Sequence, residues 1–522
     1  MSGSVLTQTE SYIPDPPVEP INQQLEYLSG NQPLQALDAK FVKYTPSNGV
    51  KYNKTQNMIE FRIPKVDRGF IDGTQTTLNL VLEPKPVVKS GETTVGGIYA
   101  TGSFQNAIAQ VDVLHNGELL ESIQHYGRHY YPYSVLYANL DQVTGSASIQ
   151  DLMAPYDRNL LGQLPSGKKL SQDVNPGAGA AWTCIKQNIT IPLSLSSLFG
   201  PGATKAIPSG LMREGLHVRI YLTDIVPELY YSLAGDGVSN LDYDPTSDYE
   251  VTRVSLECKQ LVYSHEGFAM IERALGRGVH SWNATQFIAN NVNMRPDSAK
   301  VNVLLPNTNY RDVKSMVFST YYSLIEGGTL TYASLMPGLH HAQVLVNGDC
   351  YWNTRPQGNY QTNLKNQRAE FAMNLVGLQR NAADLLECNS QMAGQTFAYA
   401  AQHSQPGFNT YAQNVTTLEP VGGPAEIPDC GAEDVGYSST NALIGRTGVS
   451  PAYVYWGQNC LRSTDKSRRL VGTDLRGRQV VAMMERYNQI PYNTLTQVLF
   501  CSLACGVRFD LDPSTGLVRR VI

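Results

Sequence analysis

His125 and His129, four residues apart, could do metal chemistry, because a helix would aim both imidazoles at one ion. Gly127 lies between them, Tyr126, Tyr130 and Tyr131 surround them, and no acidic or cysteine third ligand is near in sequence. The segment therefore reads as a hydrogen-bonded aromatic loop. His340 and His341 open a strand-like stretch, where adjacent side chains face opposite ways and do not chelate jointly. The eight cysteines, Cys184, Cys258, Cys350, Cys388, Cys430, Cys460, Cys501 and Cys505, include no C-x-x-C pair. Metal and redox sites want tighter spacing, and in apolar strands cysteine packs as a small hydrophobe. Gly436-Tyr437-Ser438-Ser439 only begins like a nucleophile elbow, and no strand leads into Gly177–Ala181 as into a phosphate cradle. No catalytic, cofactor-binding or metal-ligating residue is assigned. The chain is expected not to be an enzyme.

The elements that carry these residues are strands, and one strand-and-turn phrase occurs twice. Ala109-Gln110-Val111-Asp112-Val113-Leu114-His115-Asn116-Gly117 is answered by Ala342-Gln343-Val344-Leu345-Val346-Asn347-Gly348. Each copy alternates apolar residues at period two and closes on Asn-Gly, the dipeptide of type I′ hairpin turns, in which both central residues need φ > 0. The second copy is two residues shorter, a change that leaves the inward and outward faces in place. Asn116, Gly117, Asn347 and Gly348 are thus expected at structural hairpin turns, and the chain at two similar β units in tandem.

Size agrees, since 522 residues exceed what one hydrophobic core usually holds. Charged residues are only 16% of the chain while Tyr (30) and Gly (44) are plentiful, which suits β-rich domains with much surface covered by something other than water. A net charge of −5 argues against extensive nucleic-acid binding. The densest basic stretch, Arg462, Lys466, Arg468, Arg469, Arg476 and Arg478, also holds Asp465 and Asp474 and reads as a mixed-sign face. No apolar leader opens the sequence and no 18-residue apolar run occurs, so an intracellular product that does not span a membrane is expected. The sequons at Asn53, Asn188, Asn283 and Asn414 are then expected to be idle.

Residues 1–57 read as an extended arm, rich in proline at Pro14, Pro16 and Pro17. The first unit, 58–264, has strands at Ile59–Ile63, Thr76–Leu82, Ile189–Leu195, Leu216–Leu222 and around Val254–Cys258, with helical turns between about Tyr133 and Leu161. A helix at His265–Leu275 marks the join. The second unit, 265–522, has strands at Val279–Ala289, Val301–Leu305, Val313–Tyr322 and Val498–Leu511. Leu364, Phe371, Leu375, Leu378, Ala382 and Leu385 form a helical stripe, and about 390–450 reads as a long exposed insertion. Short alternating strands with long insertions suit sandwiches.

With these phrases in order, the chain resembles a double jelly-roll major capsid protein of the adenovirus–tectivirus lineage, nearest in pattern to polinton-like viruses and virophages. Phe70-Ile71-Asp72-Gly73-Thr74-Gln75-Thr76-Thr77-Leu78, the Asn116-Gly117 hairpin with Tyr131-Pro132-Tyr133 behind it, and Ile189–Phe199 with Ala206-Ile207-Pro208 carry the likeness over roughly 58–350. The resemblance implies an all-β fold with minor helices, two tandem eight-stranded jelly rolls. It implies a homotrimer forming a pseudo-hexagonal, hexon-like capsomer that tiles an icosahedral shell around a DNA genome. Neighbouring capsomers, penton and minor capsid proteins would be its partners. It would reside in the virion, assembled inside the host cell (nucleus or cytoplasm), with no cofactor. The alternative from another class is an intracellular tandem β-sandwich binding module, lectin- or cupin-like. A cupin would need a histidine-rich metal set, and none is visible in the sequence.

Overall fold

Leu216, Val218, Ile220 and Leu222 are buried while the residues between them are half-buried, so the pleat expresses the apolar–polar alternation of LHVRIYL directly. The computed structural model describes residues 38–87, 95–137, 149–153, 168–173, 182–203, 205–234, 246–275, 279–294, 300–306, 308–322, 339–350, 456–460, 472–486 and 497–521.

The first unit opens with β1 (Asp38–Tyr44), β2 (Lys51–Tyr52), β3 (Met58–Ile63), β4 (Gly69–Lys85), β5 (Val95–Ala100), β6 (Ile108–His115) and β7 (Glu118–Gln124). Helix α1 (Tyr126–Tyr137) follows, then β8 (Ser171–Asp173), β9 (Trp182–Cys184), β10 (Gln187–Pro192), β11 (Leu216–Leu222), β12 (Tyr230–Ala234) and β13 (Asp248–Val262). Helix α2 (His265–Leu275) leads to the second unit. That unit comprises β14 (His280–Met294), β15 (Lys300–Leu304), β16 (Val313–Tyr322), β17 (Leu339–Val346), β18 (Asp349–Cys350), β19 (Trp456–Asn459), β20 (Val480–Arg486), β21 (Gln497–Asp512) and β22 (Leu517–Val521).

In the first unit the sheets run β1-β13-β4-β10 and β3-β11-β6-β7; in the second they run β14-β21-β16-β19 and β15-β20-β17-β18. Counted in chain order within each unit, the principal strands of both units pair as first–eighth–third–sixth and second–seventh–fourth–fifth. Every pairing is antiparallel. This Greek-key order, executed twice, is a double jelly roll. Two short pairs, β5 with β12 and β8 with β9, lie outside the principal sheets of the first roll.

The repeated hairpins close on two-residue loops, with His115 opposite Glu118 and Val346 opposite Asp349. Asn116 and Gly117 have φ of 50° and 78°, and Asn347 and Gly348 have 55° and 88°. A Cβ on either glycine would meet nothing within 4 Å, so backbone conformation rather than packing requires glycine there. Asn347 is also anchored, because its Oδ1 accepts from Gln479 N at 2.8 Å and its N–H donates to Gln479 O at 2.8 Å.

Part of the expected N-terminal arm is folded. β1 pairs residue by residue with β13 from Asp38↔Val262 to Tyr44↔Leu256, and β2 pairs with β13 at Val251 and Thr252. Among the described residues, strands of the first roll's sheet are thus present from Asp38, ahead of residue 58. The physical reason is that β1 needs only a partner edge; most of its side chains are exposed, so it carries no apolar alternation to announce it. Helical structure also starts earlier than expected, at Tyr126 rather than near Tyr133. Residues 1–37, the helical stripe at 364–385, the insertion at 390–450, Gly436–Ser439 and the basic residues 462–469 lie outside the described residues.

Candidate functional site: the seam between the two rolls

All residues from Val498 to Cys505 on β21 are buried, which an antiparallel strand with one wet face does not show. Leu499, Cys501, Leu503 and Cys505 belong to the second roll's own core. Phe500, Ser502 and Ala504 point the other way. They stand in three cross-strand rows: Phe287–Ala504–Ser315, Ala289–Ser502–Val317 and Asn291–Phe500–Ser319. Most of these side chains are small, so another element can approach the sheet closely.

That element is α1 of the first roll. The His129 ring sits edge-on to Phe500 with centroids 4.9 Å apart and lies 5.8 Å from Phe287. His129 Nδ1 and Ser502 Oγ share a 2.6 Å hydrogen bond. Burial with no opposing charge pushes the His129 pKa down to about 3, and neighbouring His125 adds to the shift. Asn291 Nδ2 donates to His125 Nε2 at 3.0 Å. One ring nitrogen of each histidine thus bonds a different partner in the second roll, Ser502 or Asn291, so the pair does not converge on an ion; His129 Nε2 is buried without a hydrogen-bond partner among the described residues. Among the described residues no three His, Cys, Asp or Glu side chains form a group that could hold a metal. Helix α1 is fastened to its own roll by Tyr126, whose OH donates to Gln105 Oε1 at 2.9 Å and accepts from Leu195 N at 3.1 Å.

Further ties cross the seam. Gln286, fully buried on β14, donates from Nε2 to Leu120 O at 3.0 Å and accepts from Arg520 Nη1 at 3.2 Å. His115 Nε2 donates to Gly516 O at 3.2 Å, and Arg213 N donates to the same carbonyl at 2.8 Å. Trp282, Phe509, Leu511 and Val518 of the second roll join the apolar cluster that holds the first roll's Val111, Leu120 and Ile123. Each such side chain is worth roughly 1.5–3 kcal/mol of burial. The seam is a shared core rather than a hinge.

Two buried carboxylates order the loops beside it. Glu121 accepts from Ser196 Oγ (2.5 Å), Ser197 N (2.7 Å) and Ser197 Oγ (2.6 Å). Burial raises its pKa against those donors and the pull of Arg520. Asp151 accepts from Ser103 Oγ, from Phe104 N at 2.7 Å and from Leu152 N at 2.8 Å, and burial raises its pKa to about 6. The unfolded carboxylate ionises near 3.8, so the folded state holds the proton more tightly and stability falls as pH rises from about 4 to 6. Asp151→Asn is expected to flatten this part of the profile, removing a change of about 1–3 kcal/mol. Urea midpoints at pH 4 and 6 check it; identical slopes for variant and wild type would contradict it.

The described cysteines are inert structural residues. Burial pushes the thiols of Cys258 and Cys460 up to about 12 and that of Cys184 to about 11, and raises those of Cys501 and Cys505 as well. Side chains of His340, His341 and Cys350 lie outside the described set, as do residues Cys388 and Cys430. Among the described residues no helix is long and apolar enough to cross a membrane.

No protein-family model and no curated protein matches the chain. Solved structures do. A chain in the cryo-EM structure of the Sputnik virophage matches with a TM-score of 0.56 and 8% identity, over 94% of this chain and 89% of that one. The mavirus major capsid protein matches at 0.51 and 9% identity, over 100% of this chain and 96% of that one. The Faustovirus major capsid protein matches at 0.50 and 9% identity, over 92% and 91%. The chain has the double jelly-roll fold. Near-complete coverage in both directions means that both rolls and their connection take part in the likeness, not one sandwich alone. Sequence reasoning found the rolls but not the seam; the available signal was the run Val498–Cys505, apolar on both faces but for Ser502, where a half-exposed strand would alternate.

Proposed function

We propose that this chain is a viral major capsid protein. Three copies close around a threefold axis, so that six jelly rolls give a pseudo-hexagonal capsomer, and capsomers tile an icosahedral shell around a DNA genome. Its partners are its own copies, neighbouring capsomers, and penton and minor capsid proteins; its place is the virion, after assembly in the host cell. The single observation that carries this reading is the identical strand order of two rolls fused across a shared core. A rigid pair of near-equivalent blocks lets a threefold ring imitate sixfold geometry, and closed cyclic symmetry satisfies heterologous interfaces without open edges. The likeness to the mavirus and Faustovirus capsid proteins supports the same reading.

Multi-angle light scattering tests it. The expected mass is three times the 57.4 kDa chain, or a larger shell, persisting in high salt. A monomer at all concentrations would favour the tandem binding module instead.

A further inference from the structure

Independently of the capsid reading, we infer that Asn116 is a site of self-modification, where the chain converts its own asparagine to aspartate or isoaspartate beside the seam. The sequence holds three Asn-Gly dipeptides, Asn48-Gly49, Asn116-Gly117 and Asn347-Gly348. Glycine, with no Cβ, leaves its main-chain nitrogen open to attack the side-chain carbonyl of the asparagine before it. The structure separates the three. Asn48 is clamped: its Nδ2 donates to Met58 O at 2.8 Å, and its Oδ1 accepts from Glu60 N at 3.0 Å and from Tyr52 OH at 3.1 Å. The same hydroxyl lies 2.9 Å from Gly49 O. Asn347 is held by Gln479, whose N–H donates to its Oδ1 at 2.8 Å. Asn116 is exposed, and no described residue hydrogen-bonds its side chain. The tips at Gly117 and Gly348 are equally open, so the two hairpins differ in the anchor on their asparagine.

The step needs only water. The main-chain nitrogen of Gly117 bonds to Cγ of Asn116, the bond from Cγ to the side-chain nitrogen breaks, and ammonia leaves carrying the proton of the Gly117 amide. Water then opens the resulting succinimide ring at either of its two carbonyls. Opening at Cγ gives aspartate, and Asp-Gly suits the same type I′ turn as Asn-Gly. Opening at the main-chain carbonyl gives isoaspartate, whose main chain runs through the former side chain. The two-residue loop between His115 and Glu118 then gains one backbone atom and a carboxylate. His115 is the adjoining residue, fully buried, with Nδ1 3.4 Å from Gly215 O in its own roll and Nε2 3.2 Å from Gly516 O across the seam. Arg213 N holds the same Gly516 carbonyl at 2.8 Å. A displaced turn at position 116 therefore pulls directly on a tie between the rolls, and the seam loosens as the protein ages.

Peptide mapping by mass spectrometry, with enzymatic methylation to label isoaspartate, tests this on full-length protein aged in warm, mildly alkaline buffer. The peptide carrying Asn116 should gain one mass unit and the isoaspartyl label. Its rate should exceed those of the Asn48 and Asn347 peptides about tenfold or more, because their anchoring hydrogen bonds must break before attack. In concentrated urea the three should convert alike; a preference for Asn116 that persists there would belong to local sequence and overturn the structural assignment. An Asn116 peptide that stays unconverted in the folded protein, or an Asn347 peptide that converts as fast, also overturns it. Asn116→Gly keeps a turn-compatible dipeptide that cannot convert. Its urea midpoint should survive ageing, while that of the wild type falls in step with its isoaspartate content. Equal loss in aged wild type and aged Asn116→Gly would overturn the link to the seam.

Discussion

Glu121→Ala is expected to lower stability by about 3–5 kcal/mol, read as a fall in the urea midpoint with an unchanged slope. Glu121 is fully buried on β7 and collects two hydroxyls and one backbone N–H from Ser196 and Ser197. Truncation removes their acceptor while keeping them away from water, and each orphaned buried donor costs about 1–3 kcal/mol. The damage spreads, because Ser196 Oγ also accepts from Phe199 N at 3.0 Å and Leu120, the preceding residue, receives Gln286 across the seam. Glu121→Gln keeps the volume and most acceptor capacity, so its cost should stay near about 1–2 kcal/mol. A Glu121→Ala midpoint within experimental error of wild type would contradict this account of the loop.

Acid is expected to weaken the seam through His129. The folded pKa of about 3 lies below the unfolded value of 6.5, so the unfolded state binds the proton first. The histidine's stabilisation is complete above pH 6.5 and is lost progressively as pH falls toward 3. The full loss is on the order of 4 kcal/mol. His125 titrates in the same sense, its pKa lowered by burial and by the charge of Arg128. Asp151 works in the opposite direction between pH 6 and 4, so the wild-type curve alone is a sum. The clean measurement is the difference between wild type and His129→Gln, which can keep a hydrogen bond to Ser502 without a titrating ring. That difference should shrink steadily in favour of the variant as pH drops below 6.5. A pH-independent difference would show that His129 is not held neutral at the seam.

What could be read from the sequence depended on whether a residue's environment is local. The strand at Leu216–Leu222 and the two Asn-Gly hairpins are legible because alternation and turn chemistry are written within a few residues. β1 is not, since DAKFVKY has its side chains mostly in water and is held by main-chain pairing to a strand more than 200 residues away. α1 hides for a different reason. Its opening, Tyr126-Gly127-Arg128-His129-Tyr130-Tyr131, has no apolar stripe, and it is held by Gln105, Leu195 and Ser502, all distant in sequence. The His125–His129 spacing was real helical geometry, since His129 N donates to His125 O at 3.1 Å, but its purpose is packing between rolls. Gln286 shows why the seam stays hidden: its partners Leu120 and Arg520 lie 166 and 234 positions away.

Negative-stain electron microscopy of the purified protein bears most directly on the idea that a doubled sandwich builds sixfold-like geometry from three chains. Class averages should show a threefold particle with a near-hexagonal outline and six lobes, two from each chain. Isolated two-lobed particles, or assemblies of twofold symmetry, would contradict it.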